Sequence, residues 1–421
     1  MVWYSEWIWY NGFIYIWLLL NFITTVFCLY HAVIGISGFH KNRPYPESAR
    51  KNRFAALIAA RNEENVIANL IESIRLQEYP GELIDVIVIA DNCTDHTADV
   101  AREAGAIVFE RHNTRQVGKG FVLQFAFDRL LRERDIYDAY CIFDADNLVD
   151  RRFFEHMNRA LNSGLQVAQG YRDMKNPTDS WIAGGHSLFY WMENRFYNAA
   201  RSFLGLSATI NGTGFMIAAP LVREIGYNTS TCTEDIEYSL QCVLAGRRVG
   251  WVPLAKVYDE QPISLQQSMR QRVRWTNGLI QCYKKYIGSF AKTIITDPTW
   301  LSIDMFMYLI SFPVMLFGFL SVVLTFLLTV LHIFDPVGSL INLGLLLAGG
   351  LAGFWGIAVA TVITEKKLTK KILFSVLMYP VFNLLWVVIY GICLFRKNIE
   401  WKPIVHVRNM SLSEVESKTR G

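Results

Sequence analysis

Four long apolar runs dominate the pattern of hydrophobic and polar positions along the chain. They cover residues 13–39, 300–334, 337–363 and 372–395, and Asp304 is the one Asp, Glu, Lys or Arg among them. A helix needs about 20 apolar residues to cross the hydrocarbon core of a bilayer, so each run predicts a membrane-spanning helix. The first run is not a cleaved signal peptide, because it is too long and no basic residue precedes it.

Basic residues flank these runs unevenly. Residues 1–12 contain none, whereas five lie between residues 41 and 53 and four lie in residues 365–371. Because Lys and Arg accumulate on the cytoplasmic side, both segments are predicted to be cytoplasmic. The fourth run leaves two alternatives open: Arg396 and Lys397 would lie outside if it crossed, and Pro380 in its middle permits a broken or interfacial helix.

Short β-type runs alternate with helical ones between residues 50 and 297. Residues 56–60, 86–90, 107–109 and 140–143 predict buried strands, and apolar positions from Val66 to Ile74 keep helical spacing. This alternation predicts an α/β domain with a mostly parallel sheet and helices on both faces. Ligands bind at the carboxyl ends of such strands, where residues 61–63, 91–92 and 144–146 supply acidic and polar side chains.

A basic segment precedes the second apolar run. Residues 263–292 contain six Lys or Arg and no acid, interleaved with apolar residues, which predicts an amphipathic helix in the membrane interface. The predicted domains are an N-terminal membrane helix (1–40), a cytoplasmic catalytic domain (41–262), the interface segment (263–299), about three C-terminal membrane helices (300–396) and a short polar tail (397–421).

Composition narrows the class of protein. Of 421 residues, 52% are apolar and 19% charged, and the mean hydropathy is +0.22, which fits a globular domain joined to membrane helices. The net charge of +4 does not indicate a nucleic-acid partner. Seven cysteines stand singly, so neither a zinc site nor a disulfide framework is predicted.

Asp144-Ala145-Asp146 places two carboxylates in a turn after a strand. Mg²⁺ and Mn²⁺ bind through one or two carboxylates plus substrate phosphates, so this turn is a candidate metal site. The alternative is a pair of solvated loop acids. Gly118-Lys119-Gly120, in a polar loop before a helical pattern, could set a cation at a diphosphate.

Thr233-Glu234-Asp235 begins a helical pattern. One interpretation is a helix cap in which Thr233 bonds the first turn and the acids favour the positive end of the dipole. The other makes Asp235 a general base that takes a proton from a sugar hydroxyl. From local sequence the cap is favoured, and the two are compatible.

Gln271-Arg272-Val273-Arg274-Trp275 lies in the basic segment, with Gln271 and Arg274 three apart on one helical face. Arginine binds phosphate in a bidentate manner, and tryptophan offers a flat surface for a sugar ring. The alternative is that the arginines meet lipid headgroups and Trp275 anchors at the interface.

The order of these motifs, followed by membrane helices, resembles the processive membrane-embedded family 2 glycosyltransferases, which include cellulose, hyaluronan, chitin and poly-N-acetylglucosamine synthases. The resemblance implies a cytoplasmic glycosyltransferase A-type, Rossmann-like α/β domain between transmembrane helices, in a multi-pass protein of the plasma membrane. It implies β-linked polymer synthesis from a UDP-sugar, expected to be UDP-glucose, with release of UDP.

The resemblance also implies roles for individual residues. Glu63 and Asp91 would contact uracil, and Lys119 the diphosphate. Asp144 would contact the nucleotide, and Asp146 would ligate Mg²⁺ or Mn²⁺. Asp235 would be the catalytic base and Glu234 would help to fix the acceptor. Gln271 and Arg274 would hold the pyrophosphate, and Trp275 would stack on the growing glycan.

Other functions remain open at this stage. A related lipid-specific transferase would add one sugar to a membrane lipid, and a glycosidase would use two carboxylates without a nucleotide sugar. A transporter is disfavoured, because its spans would hold ionisable groups near the midplane. Because few membrane helices are predicted, a channel for the glycan would be narrow. Alternatively, a second copy in a homo-oligomer or a partner protein would complete it.

Overall fold

The structure is a computed structural model that describes residues 2–331, 335–395 and 410–420. Within these residues the strands are β1 (Phe54–Ala60), β2 (Ile84–Asp91), β3 (Ile107–Arg111), β4 (Ala139–Asp144), β5 (Leu148–Val149), β6 (Val167–Met174), β7 (Phe215–Ala218) and β8 (Gly250–Asp259). They form one sheet in the order β3-β2-β1-β4-β7-β6-β8-β5. All four predicted strands are present.

The helices fall into two groups. Those up to the end of the α/β domain are α1 (Val2–Ile36), α2 (Ile67–Arg75), α3 (Thr97–Glu103), α4 (Lys119–Glu133), α5 (Phe153–Asn162), α6 (Trp181–Met192), α7 (Ala200–Phe203), α8 (Ala219–Ile225) and α9 (Glu234–Leu244). The later ones are α10 (Leu265–Thr296), α11 (Trp300–Leu309), α12 (Ser311–Val330), α13 (Pro336–Thr364), α14 (Leu373–Phe395) and α15 (Leu412–Arg420). A π-helical segment, Glu193–Ala199, joins α6 to α7.

The sheet is mixed: four of its seven strand pairs are parallel, so the predicted parallel arrangement holds for β3, β2, β1 and β4 and for β6 with β8. Strand β7 is antiparallel to both β4 and β6, and β5 is antiparallel to β8. Strand β7 starts beside the end of β4, because the Gly214 amide before it donates to the Ile142 carbonyl at 2.8 Å. A strand that begins at that edge has to run back against β4.

Helices cover both faces of the sheet, as predicted. Alternate residues of β1 point to opposite sides: Ala55 and Leu57 enter a core that includes α4, whereas Phe54, Ala56 and Ile58 enter one that includes α2 and α5. All five side chains are fully buried. Strand β1 is therefore a continuous apolar run, and the polar residues that follow it lie at its carboxyl end, where the site forms.

Four helices are long and apolar enough to cross a membrane, at Gly12–Phe39, Ser311–Val330, Ile341–Thr364 and Leu373–Phe395. The second predicted run is wrong as a single span, because it divides at Ile310 into α11 and α12. Asp304 on α11 is buried and bonded by the Arg201 guanidinium at 2.9 Å and the Tyr30 hydroxyl at 2.8 Å. That acid is a structural ion-pair partner at the junction with the α/β domain.

Helix α14 runs along the surface formed by α6 and α10. Near its start the Tyr379 hydroxyl contacts the Met192 sulfur of α6 at 3.6 Å. Near its end the Asn277 amide of α10 donates to the Cys393 sulfur at 3.2 Å. A third of its apolar window is buried, against 6–18% for the other three candidate spans. Pro380 lies inside the helix, which continues through it without a break.

The last described segment returns to the α/β domain. Met410, Leu412 and Val415 pack with Leu148 and Tyr258 in a small apolar cluster at β5 and β8. The Glu416 carboxylate accepts a hydrogen bond from Arg151 at 2.9 Å. Of the predicted polar tail, residues 397–409 and 421 lie outside the described residues, as do residue 334 and Arg396. The domain boundaries given above therefore stay predictions.

Candidate active site

Lys119 and Asp144 meet at the centre of the carboxyl edge of the sheet. Helix α4 begins at Lys119, and its ammonium donates to an Asp144 carboxylate oxygen and to the Gly212 carbonyl, the latter at 2.6 Å. Burial opposes the charge of Lys119, but Asp144 and Glu234 outweigh it and raise its pKa. The predicted lysine and the first acid of the Asp144-Ala145-Asp146 turn are thus directly bonded.

Asp146 is connected through Asn147 to a second buried ion pair, formed by Arg172 and Asp259. The Asn147 amide donates to Asp146 at 3.3 Å and to Asp259 at 3.1 Å, and the guanidinium of Arg172 bonds Asp259. Lys175 donates to the Asp146 backbone carbonyl. Asp146 itself is only 5% exposed, so this turn is a fixed part of the edge and not a solvated loop.

The start of α9 brings Asp235 and Glu234 to the same place. A Cβ at Gly212, whose φ is +82°, would lie 3.4 Å from Asp235 Oδ2, and one at Gly120 would lie 3.1 Å from the Glu234 Cβ. Burial raises the pKa of Asp235, and burial with the neighbouring Asp235 raises that of Glu234 to about 7. Raised carboxyl pKa values of this kind suit proton transfer near neutral pH.

The capping prediction for Thr233 is wrong. Thr233 occupies the N-cap position of α9, but its side chain makes no capping hydrogen bond. Its hydroxyl instead lies 3.8 Å from the Cys282 sulfur of α10, and a Cβ at Gly278 would meet it at 2.4 Å. Helix α10 therefore packs on the beginning of α9 so closely that only glycine fits.

Trp275, on α10, lies against three aromatic side chains, Phe189, Tyr190 and His186, which we call the aromatic enclosure. Its ring stacks on Phe189 at 6.3 Å with an interplanar angle of 21°, and it meets Tyr190 and His186 edge-on at 6.0 and 5.9 Å. The Tyr190 ring in turn lies 4.1 Å from the Arg172 guanidinium. A continuous series of contacts thus connects Trp275 through Arg172 and Asp259 to the Asp146 turn.

Gln271 and Arg274 have unused polar atoms. Gln271 Oε1 and Arg274 Nε are buried without a hydrogen-bond partner among the residues described. Arg274 lies one turn before Gly278, on the helical face that packs against α9. Buried polar atoms are normally paired, so Gln271 Oε1 is suited to an external donor and Arg274 Nε to an external acceptor.

Glu63 and Asp91 lie further along the carboxyl edge. Asp91 ends β2 and Glu63 follows β1, so they stand two strands and one strand away from Asp144. Neighbouring strands are about 4.8 Å apart, which leaves about 10 Å between the ends of β2 and β4. Asp91 is buried and bonded by Arg111, and the Glu63 amide donates to the Thr97 hydroxyl at 2.8 Å.

Three residues that the sequence pattern did not single out line this site. Asp259 ends β8 and would have been found by the same strand-end reasoning. Arg172 lies within the buried strand β6, where no sequence signal marks it. Glu193 begins the π-helical segment, and burial raises its pKa to about 7, with Arg172 lowering and Asp235 raising it. Single π-turns are frequent at functional sites.

The carboxylates present suit a metal that completes its coordination with substrate. No cluster of three or more His, Cys, Asp or Glu suited to a metal occurs in the part of the chain that the structure describes. Asp144 and Asp146 supply two hard oxygen ligands beside a cation, Lys119, that already neutralises one of them. This donor set fits Mg²⁺ or Mn²⁺ held by carboxylates and phosphates together.

Comparison with known proteins places the chain in a family. The model described as "Glycosyltransferase like family 2" matches residues 51–278. A probable glycosyltransferase, YdaM, from Bacillus subtilis is 22% identical, with 89% of this chain and 94% of the relative covered. A beta-monoglucosyldiacylglycerol synthase from Nostoc is 27% identical, covering 61% of this chain and 54% of the relative. A poly-beta-1,6-N-acetyl-D-glucosamine synthase from Staphylococcus aureus is 26% identical, covering 61% and 60%.

The chain thus spans little more than half the length of the last two relatives. Among solved structures, the mannosyltransferase PcManGT from Pyrobaculum calidifontis, in complex with GDP-Man and Mn²⁺, superposes with a TM-score of 0.58 at 16% identity. The match covers 86% of this chain and 98% of that one. The predicted glycosyltransferase A-type fold is confirmed, with a mixed sheet and several apolar helices. The chain belongs to glycosyltransferase family 2 and is a transferase enzyme.

Proposed function

We propose that this family 2 enzyme transfers a hexosyl group from a UDP-sugar, with UDP-glucose the expected donor, to an acceptor hydroxyl at the membrane surface. The observation that carries the proposal is the meeting of Lys119, Asp144, Gly212 and Asp235 at one edge. The contacts that link this edge to the aromatic enclosure of Trp275 support an acceptor on that side.

Asp235 acts as the general base in this proposal. Its carboxylate takes the proton of the acceptor hydroxyl while the hydroxyl oxygen forms a bond to the anomeric carbon. The bond from that carbon to the diphosphate oxygen breaks with its electron pair, and UDP leaves. A single displacement of this kind inverts the anomeric centre and yields a β-linkage. Glu234, beside the base, helps to fix the acceptor.

The leaving diphosphate meets positive charge from two directions. Lys119 already lies on the Asp144 side, and Arg274 on α10 has an unused buried donor, Nε, from which the diphosphate can accept. Gln271 would join it through its amide nitrogen, because its unused oxygen is an acceptor. Asp146, with Asp144, would hold Mg²⁺ or Mn²⁺, which when bound neutralises charge on the diphosphate. Such stabilisation of developing charge is usually the largest single contribution to catalysis.

Uracil is assigned to the far end of the carboxyl edge. Glu63 and Asp91 follow β1 and β2 there, on the side of Asp144 away from α9. Asp91 is fixed by Arg111, so its position does not depend on the ligand. A spacing of two strands between Asp91 and Asp144 leaves room for a ribose between base and diphosphate.

The expected product is a β-linked glycan that stays at the site while it grows. Trp275 is half-buried and would stack on the acceptor sugar, held in place by Phe189 and Tyr190. The relative that makes poly-beta-1,6-N-acetyl-D-glucosamine supports a polymer. Transfer across the membrane would need a channel, which a second copy of the chain could complete.

A lipid acceptor is the second candidate, and the placement of α14 favours it. The apolar Phe382 and Trp386 of α14 lie beside His186 and Phe189, the same side chains that enclose Trp275. A lipid could therefore reach the acceptor side along this helix. The beta-monoglucosyldiacylglycerol synthase relative supports this alternative.

We also propose that three apolar helices cross the membrane and that α14 does not. Both ends of α14 contact helices that pack on the α/β domain, and the segment after residue 409 packs on β5 and β8. Helices α1, α12 and α13 would then cross in turn, with an external amino terminus. This arrangement keeps Lys366–Lys371, Arg396 and Lys397 in the cytoplasm, in accord with the charge rule.

Purified full chain in phospholipid nanodiscs, given radiolabelled UDP-sugars one at a time, tests these proposals. We expect UDP release with UDP-glucose and label in material that ethanol precipitates and a β-glucan hydrolase degrades. Label confined to the chloroform extract, at one sugar per lipid, would replace the polymer by the lipid candidate. Incorporation from GDP-mannose but from no UDP-sugar would contradict the donor assignment.

A further inference from the structure

A cavity of about 1270 Å³ lies apart from the aromatic enclosure of Trp275, on the other side of β6. Its walls come from β6 and β8, the π-helical segment, the residues just after α1 and the loop of residues 365–371 between α13 and α14. We call it the basic cavity. Neither the family match nor the transfer chemistry assigns it a role.

The charge of the basic cavity is strongly positive. Eight basic residues and three acidic ones line it. Lys367 donates to Asp173 at 2.6 Å and Arg195 lies 3.7 Å from Glu365, so two of the acids are already neutralised. Lys175 donates to a backbone carbonyl and has no ion pair among the described residues. Five further lysines also have no ion pair with any residue that the structure describes: Lys41, Lys256, Lys366, Lys370 and Lys371.

The basic cavity lies beside the ends of two candidate membrane spans, α1 and α13, and therefore at the surface of the bilayer. Lys41 follows α1, and the lysines of residues 365–371 occupy the turn between α13 and α14. Both α1 and α13 are candidate membrane spans, so these lysines stand where the chain leaves the hydrocarbon. Basic pockets between such helices on the cytoplasmic side are suited to the headgroups of anionic lipids.

We propose that the basic cavity binds the anionic headgroup of a membrane phospholipid. Ammonium groups bind phosphate as point charges, and the unpaired lysines surround a space large enough for a glycerophosphate headgroup. Tyr171, Trp191 and Trp251 form the inner wall and are buried, so the headgroup would meet mainly lysine side chains. The acyl chains would stay in the bilayer beside α1 and α13.

One contact connects the basic cavity to the candidate active site. Lys175, a wall residue, donates to the backbone carbonyl of Asp146. A bound headgroup would thus lie beside a side chain that supports the metal turn. The binding itself does not depend on the transfer function proposed above.

Native mass spectrometry of the detergent-solubilised full chain tests the proposal directly. With phosphatidylglycerol added, we expect one retained lipid and a preference over phosphatidylcholine of about tenfold or more, since the lysines attract the net negative charge that phosphatidylcholine lacks. Lys256→Glu/Lys370→Glu should abolish that preference. The matched variant Lys284→Glu/Lys292→Glu reverses two exposed charges on α10, away from the cavity, and should keep it.

Several results would overturn the proposal. Equal retention of the two lipids, or equal loss in both variants, would mean that only general surface charge attracts lipid. Displacement of phosphatidylglycerol by millimolar inorganic phosphate would assign the cavity to a soluble phosphate. If Lys256→Glu/Lys370→Glu does not fold, Lys370→Gln/Lys371→Gln, which changes two exposed side chains, provides the same comparison.

Discussion

The ammonium of Lys119 bonds both the Asp144 carboxylate and the Gly212 carbonyl, which joins the start of α4 to two loops at the carboxyl edge. Gly212 in turn lies against Asp235. One lysine therefore connects the proposed nucleotide side of the site to the proposed base. This ammonium group therefore holds the Asp144 turn and the loop beside Asp235 together before a UDP-sugar binds.

Replacement of Lys119 tests its contact with the diphosphate. Lys119→Met should raise the KM for the UDP-sugar by about 10- to 100-fold, because a hydrogen bond to a charged group contributes about 1.5–3 kcal/mol. Lys292→Met, an exposed lysine on α10, should leave KM unchanged. Initial rates of UDP release over a range of donor concentrations measure both, and an unchanged KM in Lys119→Met would contradict the assignment.

Asp235→Asn separates the base from donor binding. We expect transfer to fall by about 10²- to 10⁴-fold, the usual contribution of general base catalysis, while UDP still binds. Asp128→Asn, an exposed acid on α4, serves as the control and should keep full activity. Isothermal titration with UDP and a transfer assay give the two measurements. Transfer at the normal rate in Asp235→Asn would remove its assignment as base.

The pH dependence follows from the buried carboxylates. Burial raises the pKa of Asp235, and a base works only when deprotonated, so kcat/KM should fall as the pH drops through that raised value. Arg172 lowers the pKa of Asp235. Arg172→Gln should therefore raise the pKa of Asp235 and move the acid limb to higher pH, whereas exposed Arg132→Gln should not move it. A limb that stays in place in Arg172→Gln would contradict this effect.

Trp275 is expected to act on the acceptor and not on the donor. Trp275→Ala should reduce transfer about tenfold, since aromatic packing contributes about 0.5–1.5 kcal/mol beyond burial, and should spare donor hydrolysis. Trp300→Ala removes an indole that is 76% exposed and should change neither rate. Parallel assays of product and of UDP released without product distinguish the two rates. Equal loss of both in Trp275→Ala would indicate a structural anchor.

The side of the membrane on which the carboxyl terminus lies tests the placement of α14. Because α14 is proposed not to cross, a green fluorescent protein fused after residue 421 should fluoresce, and alkaline phosphatase fused there should be inactive. The same reporters fused before α1 should give the opposite pattern. An active phosphatase at the carboxyl terminus would mean that α14 crosses the membrane.

Hydrophobic periodicity alone predicted much of the fold. Buried parallel strands are short continuous apolar runs and apolar helices are long ones, so β1 to β4, α13 and α14 were recognisable without coordinates. Polar residues that directly follow such strands share one edge, which is why Asp91 and Asp144 could be assigned to a common site. Motif order then indicated a family 2 glycosyltransferase, which the comparisons confirm, whereas processive synthesis stays a proposal.

Tertiary structure decided what depends on contacts between distant segments. The reversal of β7 and the course of α14 along α6 and α10 have no local signal. Arg172 pairs with Asp259 across 87 residues, and Thr233 meets Cys282 instead of capping α9. The local sequence pattern specifies which faces of an element are apolar. A charged residue inside a strand, however, meets its ion-pair partner only when distant strands come together in the sheet. The polar network of the site was therefore fixed by folding.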